Sequence, residues 1–257
     1  MEERLVLTET TDGIEILTLN HPEKRNALSR EMLTLLRGHL ARISHDRSVR
    51  AVIIRAEGPV FSSGHDLREL VGGRKEDYAS LFALCTEVME AIAMLPKPVI
   101  AEVRGMATAA GCQLAATCDL VLASEEATFA TPGVRIGLFC TTPGVALVRA
   151  VGAKVAMEML LTGRPISARE AEKAGLVNRV VPAERLSEVT LVLAHQIITA
   201  SSDTLARGKR AFYEQIPLPR ARAYEAAQKA MVENTLAPDA HEGITAFLEK
   251  RPPIWKS

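Results

Sequence analysis

The chain has 257 residues, 47% of them hydrophobic, so it can bury a large core and is neither a disordered nor a repeat-biased polymer. Its 31 Lys and Arg balance 31 Asp and Glu, which excludes an overall field that would draw nucleic acid or an acidic membrane; an anionic ligand must be held locally. Cys85, Cys112, Cys118 and Cys140 lie in apolar surroundings with no CxxC pair, and so read as buried, reduced thiols, with no disulfide or zinc framework.

The N-terminal stretch MEERLVLTETTDG is acidic and strand-like, without the basic and apolar regions of a signal peptide, and no later apolar run reaches spanning length. A soluble, cytoplasmic protein is expected. RLVLTET and IEILTLN alternate apolar residues around Thr11-Asp12-Gly13, which predicts a hairpin. After the loop HPEKRNAL, Ser29 caps a helix with Glu31 in its first turn and Met32, Leu36, Leu40 and Ile43 on one face. AVIIRAEG is a short strand, and VFSSGHDL a brief strand running into a turn. A second amphipathic helix carries Leu81, Cys85, Val88, Ile92 and Leu95 and ends at Pro96. The strand PVIAEV, a turn of small residues, a short helix and the strand DLVLAS follow. Ser167 with Glu170 forms a capping box, and Gly175 closes that helix before LVNRVV. Alternating strands and helices predict an α/β fold. From about Glu188 onward only helical segments are expected.

Two turns share a design: VFSSGHD (60–66) and GMATAAGCQ (105–113) each follow an apolar strand with small residues, so the backbone can approach a ligand and present N–H groups. Paired donors of this kind stabilise negative charge on a carbonyl oxygen, an effect of roughly 10²–10³ in rate per donor. Either turn alone is equally accounted for by tight strand-to-helix packing. No GxGxxG or GxxxxGK[ST] motif supports a nucleotide site.

Taken together, LNHPEKRNALS (19–29), FSSGHDL (61–67), KPVIAEVRGMATAAGCQLAATCDL (97–120), FATPGVRIGL (129–138), LTGRPISAREAEKAGLVNRVV (161–181) and EGITAFLEKR (242–251) resemble, in order, the enoyl-CoA hydratase/isomerase (crotonase) superfamily across essentially the whole chain. The resemblance implies a spiral of ββα units over 1–195 and a C-terminal helical oligomerisation segment over 196–257, with trimers or hexamers as the assembly. It also implies that the backbone N–H groups of His65 and Ala110 hold the thioester oxygen of an acyl-CoA. Arg25, Ala27 and Ser63 match the adenine-binding wall, Asp66, Leu67 and Arg68 continue the coenzyme A segment, and Phe247 and Lys250 reach the nucleotide end across a subunit boundary. Coenzyme A enters only as part of the substrate; no metal, separate cofactor, nucleic acid or membrane partner is expected.

The chain departs from the superfamily at its acids. The two glutamates that handle water in family hydratases fall at Gln113 and Gly133, and a third acid used by some isomerases falls near Thr141. None of these ionises as a carboxylate does, and general acid–base groups supply roughly 10²–10⁴ each, so ordinary hydration is expected to be slow or absent. In an otherwise intact pocket, Gln113→Glu with Gly133→Glu is expected to raise hydration. Gln113 keeps the ability to donate and accept hydrogen bonds. The His65 side chain reads as a surface or coenzyme A-side histidine first and a base second, Asp66 as ordering its turn, and Cys140 as core before nucleophile. Ser62 or Ser63 with His65 makes a hydrolase pair on spacing alone, without a GxSxG motif. The acyl end of the pocket is expected between Leu70 and Phe82. A thioester-processing enzyme and a non-catalytic acyl-CoA-binding or sensing oligomer both fit.

Overall fold

The computed structural model describes residues 5–257; Arg4, at the start of the first expected strand, lies outside them. Strands β1 (Val6–Thr11) and β2 (Ile14–Leu19) form the hairpin, turned at Asp12 and Gly13, whose φ values of +48° and +81° suit a type I′ turn. Ser29 Oγ accepts from the Met32 N–H and starts α1 (Arg30–His45). A unit of long strand, short strand and helix then repeats. β3 (Ala51–Ala56), β4 (Val60–Ser62) and α2 (Lys75–Met94) make one turn, and β5 (Val99–Val103), β6 (Met106–Thr108) and α3 (Ala110–Thr117) the next. β7 (Leu120–Ser124), β8 (Thr128–Ala130) and α4 (Thr141–Val151) make a third. The chain continues through α5 (Ala153–Thr162), β9 (Ile166–Ser167), α6 (Ala168–Ala174) and β10 (Arg179–Val181) to α7 (Leu186–Ile198), α8 (Ser202–Gln215), α9 (Arg220–Thr235) and α10 (Pro238–Glu249).

Each turn of the spiral gives one strand to each of two sheets. The larger runs β1-β2-β3-β5-β7-β10, parallel beyond the hairpin, and the smaller runs β4-β6-β8-β9. Of the smaller sheet the sequence announced only β4, within VFSSGHDL: its strands are two or three residues long, too short for alternation to register. Along the larger sheet, side chains alternate between two cores. Leu17, Val52, Ile54 and Ala101 face α1, α2 and the smaller sheet, while Ile14, Ile16, Ile53, Ile100 and Leu122 face Leu186, Leu193, Ala194 and Ile198 at or along α7. The capping box at Ser167 and Glu170 and the left-handed Gly175 end α6 as expected. Among the described residues no strand follows Val181, and no helix is long and apolar enough to cross a membrane.

α8 is tied to the core through one buried cluster. Lys209 Nζ donates to the carbonyls of Ile92 and Lys97 and to Asp119 Oδ2, while Tyr213 donates to Asp119 Oδ1. α9 buries no residue, and many apolar side chains of α8 to α10 face outward.

Candidate active site

The first turn leaves β4 through Ser62, whose Oγ accepts from the Gly64 N–H at 3.2 Å. Ser63 donates its N–H to the Arg25 carbonyl, and the Gly64 carbonyl accepts from Leu28. Asp66 Oδ1 accepts from the Arg68 N–H and its carboxylate pairs with the Arg68 guanidinium, so Asp66 does order its turn. The His65 N–H, between these fixed groups, donates to nothing among the described residues.

The second turn leaves β6 through Ala109, held at φ +50° and ψ −120°, a conformation that costs an alanine of the order of 1–3 kcal/mol and clusters at functional sites. Its N–H donates to Ala130, and α3 begins immediately, with no side-chain cap. The Ala110 N–H is therefore also without an acceptor. Glycines let the two turns stand against each other. A Cβ on Gly64, at φ +88°, would lie 3.0 Å from the Ala110 nitrogen, and a Cβ on Gly111 would lie 2.3 Å from the Ser62 carbonyl oxygen.

His65 and Ala110 both line a cavity of about 550 Å³. Ser63, Leu67, Leu70 and Phe82 form one side of it, and residues from Pro132 to Pro143 the other. Leu70 and Phe82 were the expected bounds of the acyl end. On the 132–143 wall the sequence had pointed to Gly133, Cys140 and Thr141; Ile136, Leu138 and Phe139 were missed, although a mixture of Pro, Gly and apolar residues is what a bent, ligand-facing segment requires. Among the described residues no Asp or Glu lines the cavity.

The His65 side chain is not at the surface. Its Nδ1 lies 3.2 Å from the Leu28 carbonyl, which can only accept, so Nδ1 carries the proton of the neutral ring. Nε2 is shut off from solvent without a partner, and the ring meets Phe82 edge-on at 5.5 Å. Burial holds the imidazole below its ordinary pKa, against the opposing effect of the Leu28 bond. The serine–histidine pair does not form, because Ser62 is turned to Gly64 and His65 to Leu28. Cys140 lines the cavity, but burial raises its pKa, and Cys112 behind it is pushed up to about 12; both stay protonated thiols.

Gly133 lines the same cavity and Thr141 opens α4 beside it. A Cβ on Gly133 would meet the Leu138 carbonyl oxygen at 2.4 Å and Cys140 Sγ at 2.7 Å, so no larger residue fits without moving that wall. The condition of an otherwise intact pocket is therefore not met at residue 133. Gln113, one turn into α3 and 6% exposed, lines a second cavity instead. Of the expected coenzyme A residues, Arg25 is exposed at φ +53°, Ala27 is buried, and Leu67 and Arg68 are exposed beside the cavity mouth. Phe247 and Lys250, at the end of α10, are exposed and line neither cavity in this chain.

The chain matches the enoyl-CoA hydratase/isomerase family over residues 9–257. The chain belongs to that family. It is 50% identical over 255 residues to the rat mitochondrial protein called enoyl-CoA hydratase domain-containing protein 3, covering 99% of this chain and 85% of the relative. Among solved structures, the enoyl-CoA hydratase of Mycobacterium smegmatis superposes with a TM-score of 0.96 at 47% identity, covering 99% of this chain and all of that one. Human enoyl coenzyme A hydratase domain-containing protein 3 gives 0.95 at 49% identity, covering 98% and 100%. Seen as a crotonase-fold protein, the chain has its cavity where successive turns of the spiral leave the smaller sheet, at the C-terminal ends of β4 and β6.

Proposed function

We propose that the protein processes an acyl-CoA thioester, with the N–H groups of His65 and Ala110 donating to the thioester oxygen as negative charge develops on it. The observation that carries this reading is the pair of unpartnered amides on one largely apolar cavity. With no carboxylate on that cavity, ordinary hydration of an enoyl-CoA is slow or absent. The chemistry that remains asks little beyond oxyanion or enolate stabilisation, as in decarboxylation of a malonyl-type thioester or thioester hydrolysis. A non-catalytic acyl-CoA-binding oligomer is the second reading, favoured by the missing acids and the closed space at Gly133.

In this reading residues 196–257 mediate assembly into a trimer or hexamer, and Phe247 and Lys250 meet the nucleotide end of coenzyme A bound to a neighbouring subunit. The four unpaired cysteines fit a reducing compartment.

A panel of acyl-CoA thioesters, assayed on the wild type and on Gly64→Ala, separates the readings. Turnover that falls about 10²–10³-fold in the variant supports catalysis through the two amides. Tight binding without turnover supports the binding protein, and turnover indifferent to Gly64→Ala removes the oxyanion assignment.

A further inference from the structure

Six polar side chains line the cavity of the His65 and Ala110 amides: Ser63, His65, Arg135, Cys140, Thr141 and Thr142. Five of them are uncharged. The His65 ring is neutral and Cys140 is a protonated thiol, the Thr141 hydroxyl donates to the Phe139 carbonyl, and the hydroxyls of Ser63 and Thr142 have no partner among the described residues. Arg135 is therefore the one charge among the described residues of the lining, and no carboxylate there answers it.

Arg135 stands in the short 3-10 turn Pro132–Ile136, between β8 and α4. The turn leans on the end of α5, where Gly163 holds φ +58°; a Cβ there would meet the Pro132 Cα at 2.9 Å and Arg135 Nε at 3.3 Å. Nε donates to the Thr162 carbonyl at 3.4 Å, which leaves both terminal nitrogens, Nη1 and Nη2, without an acceptor among the described residues. Other exposed arginines near it in sequence are already spent: Arg164 pairs with Glu158 and Glu170, and Arg169 with Glu125 and Glu172. Arg135 keeps its terminal nitrogens free, as a planar group suited to gripping a carboxylate with two bonds. Ile136, Leu138 and Phe139 on the same wall are exposed and apolar, and an ion pair among such side chains is stronger than one in open water.

Ser63 and Leu67, which the resemblance places along coenzyme A, line the opposite side of the cavity. With the phosphates drawn to that side, the Arg135 wall is left to the acyl group. A carboxylate paired with a guanidinium resists leaving as CO2, because neutral CO2 forfeits the pairing. The charge recognised is then one that the reaction keeps, at the end of the acyl chain remote from the thioester.

We propose that the cavity selects acyl-CoA thioesters whose acyl group ends in a carboxylate, with the Arg135 guanidinium as the partner of that carboxylate. The inference rests on the thioester reading of the same cavity, and the experiment separates the two. Calorimetric titration compares succinyl-, glutaryl- and adipoyl-CoA with the uncharged butyryl-, valeryl- and hexanoyl-CoA of equal carbon number. Each pair is measured on the wild type and on Arg135→Met, which keeps an apolar stem and removes the charge.

The expected result is that at least one dicarboxylic thioester binds the wild type about tenfold tighter than its uncharged counterpart, and that the ratio falls to about one in Arg135→Met. A ratio of one in the wild type overturns the carboxylate assignment while the thioester site stands. So does a preference that survives in Arg135→Met with affinity lost equally for both members of a pair, which would put Arg135 on the coenzyme A phosphates. If no acyl-CoA binds, both readings fall. Should Arg135→Met fail to fold, the wild-type ratio decides alone.

Discussion

Gly133 and Gln113, expected from the resemblance to stand where family hydratases keep glutamates, differ in what surrounds them. At Gly133 the missing side chain has been replaced by other atoms, since the Leu138 carbonyl and Cys140 Sγ fill the volume a Cβ would need. At Gln113 the side chain is present and lines the chamber next to the cavity of the His65 and Ala110 amides. Installing both acids therefore fails to restore hydration. Gln113→Glu with Gly133→Glu is expected to leave crotonyl-CoA hydration no higher than the parent and to lower stability by about 1–3 kcal/mol through overpacking at residue 133. Hydration assays paired with urea unfolding check this, and a large gain in hydration would show that the 138–140 wall yields easily. The substitutions themselves were legible in the sequence, because a residue's identity at a motif position needs no coordinates. What filled the vacated space was not, because it depends on a backbone carbonyl arriving from five residues downstream. The partner of the His65 side chain was not legible for the same reason: only the fold brings the Leu28 carbonyl to Nδ1.

Among the elements, those built from local rules were readable: the Asp12-Gly13 hairpin, the Ser29 cap, the α6 capping box and the helical tail. Of the smaller sheet's short strands only β4 was; β6, β8 and β9 exist only through pairing with their neighbours. Nor was the docking of α8, where Lys209 and Tyr213 meet Asp119 and Arg50 donates to Ser202. Lys209 spends all three donors on Ile92, Lys97 and Asp119, and the ion pair is largely buried, with the two side chains 8% and 17% exposed. Removing one partner leaves the other charged and desolvated. Lys209→Met is accordingly expected to cost about 3–5 kcal/mol, and a double-mutant cycle with Asp119→Asn to show a cost well below the sum of the single changes. Urea unfolding measures both, and additive costs would mean that the pair does not act as a unit.

At the scale of the whole molecule, the C-terminal helices pose a problem that a lone chain does not solve. Tyr224, Met231, Leu236 and Leu248 are exposed, and Phe247 is 82% exposed, on helices that otherwise hold to the core through α8 and a few contacts of α10. Apolar surface of this kind marks an interaction site. The proposed self-association would cover it, and would also give a role to Lys250, placed at the end of α10 away from its own chain's cavity. The expected outcome is that the wild type sediments as a trimer or hexamer and that Phe247→Asp with Leu248→Asp shifts it toward monomer. A second measurement tests whether assembly completes the coenzyme A site. Lys250→Ala should weaken binding of an acyl-CoA about tenfold, the loss of one charge-assisted contact to phosphate, while leaving an acyl-pantetheine that lacks the nucleotide unaffected. Equal loss for both ligands would place the effect of Lys250 on the fold, and a monomeric wild type would remove the subunit-crossing contact altogether.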